Sequence, residues 1–256
     1  MATTVDTQEL EAKVKAMYRD VAERPGGDYH FELGRGLAEH LGYAADRLDR
    51  IPAEAVESFA GVGHFFDLAG LDTGESVIDL GSGAGMDVFY AATLVGPAGS
   101  VVGVDFTAEQ LAKARELAAR DGFEQVDLRE GRIESLPADD ASFDCVISNG
   151  VVNLAPDKDA VFAEVVRVLR PGGRLALADI VSEQQLKESI VCDADLWASC
   201  IGGAAQEDSY RQAIESAGLI VEDIQRNPYR FISERAQNAS DKYGVKSVSL
   251  LARKGE

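Results

Sequence analysis

Residues 76–85 read SVIDLGSGAG, and this stretch decides the fold. Val77, Ile78 and Leu80 form the near-continuous apolar run of a strand buried on both faces. Gly81, Gly83 and Gly85 then let the chain turn without a Cβ collision. About twenty residues on, Asp105 ends a second apolar run, where a ribose hydroxyl pair arrives in a nucleoside-binding β/α unit.

The spacing selects among nucleoside ligands. A dinucleotide fingerprint, G-x-G-x-x-G, needs a glycine at position 86, where the chain has Met86. Glycines at alternate positions suit a ligand whose small polar head lies on the backbone. The first amides of the next helix then face a carboxylate rather than a pyrophosphate. S-adenosylmethionine (SAM), leaving S-adenosylhomocysteine as its product, has that shape.

Outward from the loop, residues 86–95 predict a helix, 96–99 a turn and 100–105 the second strand. Thr107 opens a helix to residue 120, with Gln110 placed for a capping box. Residues 125–130, 143–148 and 174–181 predict three further strands. The helix at 157–169 carries Val161, Phe162, Val165 and Leu169 on one face and stops at Pro171-Gly172-Gly173. This alternation implies an α/β fold with a Rossmann-like, doubly wound, mostly parallel seven-stranded sheet. After a helix at 208–217, residues 219–226 and 245–253 predict an antiparallel C-terminal strand pair.

Ahead of the sheet, Leu10, Val14, Met17 and Val21 make residues 7–23 an amphipathic helix, a lid or flank. Shorter helical pieces broken by glycine and proline follow. The expected organisation is an N-terminal helical lid or cap, 1–71, and an α/β domain, 72–256. Its inserted segment 182–206 faces the substrate over the carboxyl ends of the strands.

The 256 residues suit one large core. With 25 basic against 44 acidic side chains the net charge is -19, which repels nucleic acid and anionic lipid, so neither is an expected partner. No apolar run approaches the roughly 18 residues that span a bilayer, and no secretory signal is evident. A soluble, cytoplasmic monomer or homodimer is the expectation. Cys145, Cys192 and Cys200 form neither a disulfide set nor a C-x-x-C pair, so reduced thiols and no metal are expected.

Four segments together resemble the motif set of class I SAM-dependent methyltransferases along nearly the whole chain. They are Asp79-Leu80-Gly81-Ser82-Gly83-Ala84-Gly85, Val104-Asp105-Phe106, Gly131-Arg132-Ile133-Glu134-Ser135-Leu136-Pro137 and Leu169-Arg170-Pro171-Gly172-Gly173. Within that class, three stretches are similar to arsenite methyltransferases: the run from Ser148-Asn149-Gly150 to Pro156-Asp157-Lys158, Cys200-Ile201-Gly202-Gly203-Ala204, and Lys246-Ser247-Val248-Ser249. The resemblance implies methyl transfer from SAM, with As(III) held by cysteine thiolates. Cys200 matches one such cysteine, but Gly150 stands where a second is expected and Val62 where a third is expected.

A soft arsenic centre gains most of its affinity from two or three sulfur ligands in one pocket. On a helix Cys192 lies about two turns, some ~12 Å, from Cys200, too far to share one atom. The chain therefore reads as a methyltransferase with a depleted cysteine site that serves another small-molecule acceptor. Two alternatives stay open: arsenite or organoarsenical methylation through Cys200, and a non-catalytic SAM-binding protein.

For the cofactor, the resemblance implies that Asp79 engages the methionyl ammonium along the loop Gly81, Ser82, Gly83 and Gly85. Asp105 and Phe106 then meet the ribose, Ile133 and Glu134 bracket the adenine, and Arg132 folds over the base. Asn149 and Gly150 end a strand beneath the cofactor. His64 is the candidate general base and Cys200 the candidate catalytic thiol. Trp197 and Tyr210 are expected to wall the acceptor pocket, and Cys145 to be core.

Overall fold

The computed structural model describes residues 6–27, 29–191, 197 and 201–255. Cys192 and Cys200 lie outside the described residues.

Five strands run parallel in the order β3 (Val126–Glu130), β2 (Ser100–Asp105), β1 (Ser76–Leu80), β4 (Phe143–Asn149) and β5 (Leu169–Ser182). The antiparallel β8 (Lys246–Lys254) and β7 (Leu219–Arg226) complete the seven-strand path. An eighth strand, the two-residue β6 (Ala205–Gln206), pairs parallel with Val181 and Ser182 of β5. Those β5 residues lie beyond Ala178, where pairing with β4 ends. The doubly wound sheet and the antiparallel end are as the sequence predicts.

The pleat assigns the residues of β1 to two faces. Val77 packs with helices α2 (Gly34–Leu41), α6 (Met86–Val95) and α7 (Ala108–Asp121). Ile78 and Leu80 pack with α8 (Lys158–Val168) and α10 (Glu207–Ser216). Asp79 shares the face of Val77, at the carboxyl end of the strand. Buried side chains of the N-terminal segment, from Leu37 to Ala69, belong to the same continuous core as Val77 and Phe89.

Two local expectations change. Leu169 belongs to β5 rather than to the preceding helix, because Phe143 pairs with Leu169 while Cys145 pairs with Arg174. The extra residues, including Pro171 and Gly172 at φ +73°, bulge out of the ladder. Thr107 does stand at the N-cap of α7, but its side chain makes no capping bond. Its amide instead donates to Asp105 Oδ1 at 2.8 Å, and Gln110 turns away to donate from Nε2 to the Tyr18 carbonyl at 2.8 Å.

Helix α1 (Thr7–Glu23) crosses above the carboxyl ends of the strands. Asp6 starts it by accepting from the amides of Gln8 and Glu9. Its buried stripe is Leu10, Val14 and Val21. Leu10 and Val14 pack on Leu154 and Trp197. Arg19 pairs with Glu109 at 2.7 Å, and Lys113 donates to the Ala22 carbonyl at 3.1 Å.

Candidate functional site

A cavity of about 140 Å³ opens between α1 and the carboxyl ends of β1, β2 and β4. Its floor is the turn after β1. The amides of Gly81 and Ser82 both donate to the Val104 carbonyl, at 2.8 and 3.0 Å, which bends the chain across β2. Gly81 has φ +73°, and a Cβ there would sit 2.4 Å from Val151 Cγ2. Gly83, at φ +52°, has nothing nearer to a would-be Cβ than Gln110 Oε1 at 3.9 Å. Gly81 is thus required for packing, whereas Gly83 leaves backbone open to a ligand.

Three carboxylates converge on this floor: Asp79, Asp87 and Asp105 are buried yet line the cavity. Burial drives the Asp79 carboxyl well above the ordinary carboxylate range, and the neighbouring Asp87 and Asp105 push it further. Burial also raises Asp87, to about 6, against the hydrogen bonds it accepts from Tyr43 and Asn149. Asp105 is raised by burial too, opposed by the amides of Thr107 and Gly83. Among the described residues no lysine or arginine offsets any of the three.

Asp87 was not anticipated from the sequence. In the first turn of α6 it reads as an ordinary acid at a helix N-terminus. In the fold its Oδ1 accepts from Tyr43 Oη at 2.6 Å and its Oδ2 from Asn149 Nδ2 at 3.0 Å. Asn149 Oδ1 in turn accepts from the Val62 amide at 2.7 Å and the Gly63 amide at 3.3 Å. One amide side chain at the end of β4 therefore ties the segment before the sheet to the carboxylate floor. Tyr43 lies far upstream of the motifs, so no sequence spacing could have joined it to Asp87.

At the other end of the cavity stand Phe106, Arg132, Ile133 and Glu134. Lys15 of α1 lies 5.0 Å over the Phe106 ring. Arg132 does not fold inward as expected. Its guanidinium donates to Glu11 of α1 at 2.6 Å and holds that carboxyl below its usual range, so it fastens α1 across the opening.

The remaining candidates fall elsewhere. Gly85, at φ +91°, caps the start of α6, where a Cβ would meet Phe89 Cε2 at 2.9 Å. Gly150 backs onto Val62, whose Cγ1 lies 3.2 Å from the position of a Cβ. His64 does not line the cavity. It packs edge-on to Tyr43 at 4.7 Å, and burial lowers its pKa. Tyr210 is on the opposite face of the sheet, against Phe162, and donates to buried Asp179 at 2.7 Å. Trp197 packs beneath α1 with Lys158 4.9 Å over its ring, supporting the cavity wall without reaching the cavity. Cys200 lies outside the described residues. Cys145 is core, as expected, its thiol pushed up to about 12 by burial.

The cavity fits SAM on its own chemistry. Ser82 Oγ and Gln110 Oε1 line it, buried, with no hydrogen-bond partner among the described residues. Beside them, three uncompensated carboxylates favour a ligand bearing positive charge. SAM carries an ammonium, a sulfonium and hydrogen-bonding hydroxyls.

The sheet order, the glycine turn and the acid ending β2 define a SAM-binding α/β architecture, and the chain belongs to the methyltransferase-domain family, whose model matches residues 71–218. It is 43% identical over 199 residues to an arsenite methyltransferase of Halobacterium salinarum, covering 78% of this chain and 51% of that protein. An arsenite methyltransferase of Aquipseudomonas alcaligenes is 44% identical over 161 residues, covering 59% of this chain and 46% of that one. The chain thus spans about half the length of these curated relatives. Among solved structures, an arsenic(III) SAM methyltransferase from Chlamydomonas reinhardtii superposes with a TM-score of 0.68 at 30% identity. That match covers 88% of this chain and 75% of that one. Among the described residues, no helix is long and apolar enough to cross a membrane.

Proposed function

We propose that this chain transfers the methyl group of SAM to a small acceptor other than arsenite. The observation that carries the methyl-transfer reading is the convergence of Asp79, Asp87 and Asp105, buried and without a cationic partner among the described residues, on a cavity floored by the open glycine Gly83. Asp79 and Asp87 receive the ammonium end, and Asp105 the ribose. Phe106 and Ile133 flank the base, and α1 excludes water from above. Bound SAM supplies a methyl group already activated by its sulfonium, so the protein's task is alignment and desolvation.

What supports a non-arsenical acceptor is the contact of Val62 with Gly150. These are the two positions where the resemblance expects cysteines, and they meet in the fold without a sulfur between them. The names of the relatives favour a second reading, arsenic methylation through Cys200. Calorimetry with SAM, followed by labelled-methyl transfer to arsenite, methylarsenite, thiols, phenols and quinones, separates the readings. Turnover of arsenite with the other acceptors inert overturns the first, and tight SAM binding with no turnover at all leaves a binding protein.

A further inference from the structure

Beside the cofactor cavity lies a second, smaller one, lined among others by Tyr18, Phe31, Ala60, Val62, Tyr229 and Phe231. Tyr18 and Ala60 line both cavities, so one layer of side chain separates them. The Val62 amide is held by Asn149, which itself lines the cofactor cavity, so the shared wall is anchored to the cofactor floor.

The walls are rings. Phe31 stacks on Tyr18 with centroids 6.5 Å apart at 23°, and Tyr229 meets Phe231 edge-on at 5.2 Å. No Lys, Arg, Asp, Glu or Cys is among the described lining residues; the polar groups there are the imidazole of His30, edge-on to Phe31 at 4.7 Å, and the hydroxyls of Tyr18, Tyr229 and Ser233. Such a lining offers face and edge contacts to a flat apolar body. Among the described residues it offers no guanidinium or ammonium to an anion and no thiolate to a soft metalloid.

We propose that this second cavity is the acceptor site, and that the acceptor is a small aromatic molecule carrying one thiol or hydroxyl. The proposal rests on the methyl-transfer reading above. The ring sits between Phe31, Tyr229 and Phe231, and the nucleophilic atom points past Tyr18 and Ala60 toward the cofactor cavity. The acceptor's S–H or O–H proton goes to solvent. Its lone pair forms the new bond to carbon as the carbon–sulfonium bond breaks, and that electron pair stays on the sulfur of S-adenosylhomocysteine. The cavity measures about 10 Å³ as it stands, so a ring enters by parting Tyr229 and Phe231 from Phe31. Tyr229 and Phe231 lie on the connection 227–233, which belongs to no helix or strand.

The test compares phenylmethanethiol with 2-mercaptoethanol, two alkyl thiols of similar acidity that differ in body, on the full chain with SAM. The expected result is kcat/KM at least about tenfold higher for phenylmethanethiol, the scale of one or two aromatic contacts. Phe231→Ala and Tyr229→Ala should each shrink that preference severalfold while the Kd for SAM stays unchanged. Saturation-transfer NMR of phenol on the protein loaded with S-adenosylhomocysteine provides a readout independent of turnover, with the signal lost in Phe231→Ala. Equal use of both thiols, or an undiminished preference in both variants, overturns the acceptor site while leaving methyl transfer standing. Absence of transfer to every acceptor overturns the methyl-transfer reading and this proposal together.

Discussion

Asn149 Nδ2 donates to Asp87 Oδ2 across 3.0 Å, joining the last residue of β4 to the first turn of α6. That contact, with Tyr43 on the other carboxylate oxygen, aims a buried acid at the cofactor cavity without neutralising it. Removing the charge while keeping the shape isolates what it does.

Asp87→Asn should weaken SAM and S-adenosylhomocysteine alike, by about 1.5–3 kcal/mol, the scale of a charge-assisted hydrogen bond. Binding of 5′-methylthioadenosine, which lacks the amino-acid tail, should not change. Calorimetry with the three ligands decides it, and an equal loss for methylthioadenosine removes the ammonium assignment.

Asp105→Ala should weaken all three ligands by at least ~1.5 kcal/mol, because all carry the ribose. Asp105 also accepts from the amides of Gly83 and Thr107, at 2.9 and 2.8 Å. The glycine turn should loosen with it, seen as faster amide exchange at Gly83. Unchanged affinity in calorimetry would discard the ribose role.

The buried acids set a pH dependence of definite sign. The folded-state pKa of Asp87 lies near 6, above its ordinary value of 3.8, and Asp79 and Asp105 shift the same way. The folded state therefore holds more protons than the unfolded one between those values, and stability falls as pH rises from about 4 to about 6, by roughly 2–3 kcal/mol for Asp87 alone. SAM should recover the loss, so its effect on Tm should grow across the same window. A Tm shift with SAM that is flat from pH 4 to 7 contradicts a cationic ligand over these acids.

Gly81→Ala should cost about 1–3 kcal/mol and abolish SAM binding, since it combines a left-handed backbone with a collision against Val151. Gly122→Ala has a similar φ, +75°, but open space, and should cost about 1 kcal/mol with binding intact. Denaturant unfolding and SAM titration of both variants check the pair, and equal behaviour of the two would show that Val151 yields.

The sheet was legible because its signals are local. Val77 to Leu80, the glycines after them and Asp105 each act through neighbours a few residues away, and the boundaries of β2, α6 and β7 coincide with the sequence reading. That Asp79, Gly81, Ser82, Gly83 and Asp105 gather at one cavity was legible to the same extent. Asp87, Tyr43 and the α1 contacts were not, because they become partners only when distant segments fold over the sheet. Tyr210 misled for the converse reason: an aromatic in the first turns of the helix after the inserted segment looks like a pocket wall until Asp179, thirty-one positions earlier, takes its hydroxyl on the other face. His64 was placed at the pocket by proximity to Gly63, yet its ring turns into the aromatic cluster of Tyr43, Phe66 and Tyr90.

The way α1 is fastened bears on how a cofactor enters. Two of its ties, Glu11 to Arg132 and Arg19 to Glu109, are partly exposed ion pairs with both partners within reach of solvent ions. At physiological ionic strength the Debye length is about 8 Å, and added salt shortens it, so these ties slacken while the buried acids below are screened far less. Ionic strength should therefore act on how firmly α1 is held before it acts on grip. A cofactor should come and go faster in concentrated salt, with its equilibrium affinity moving far less than either rate.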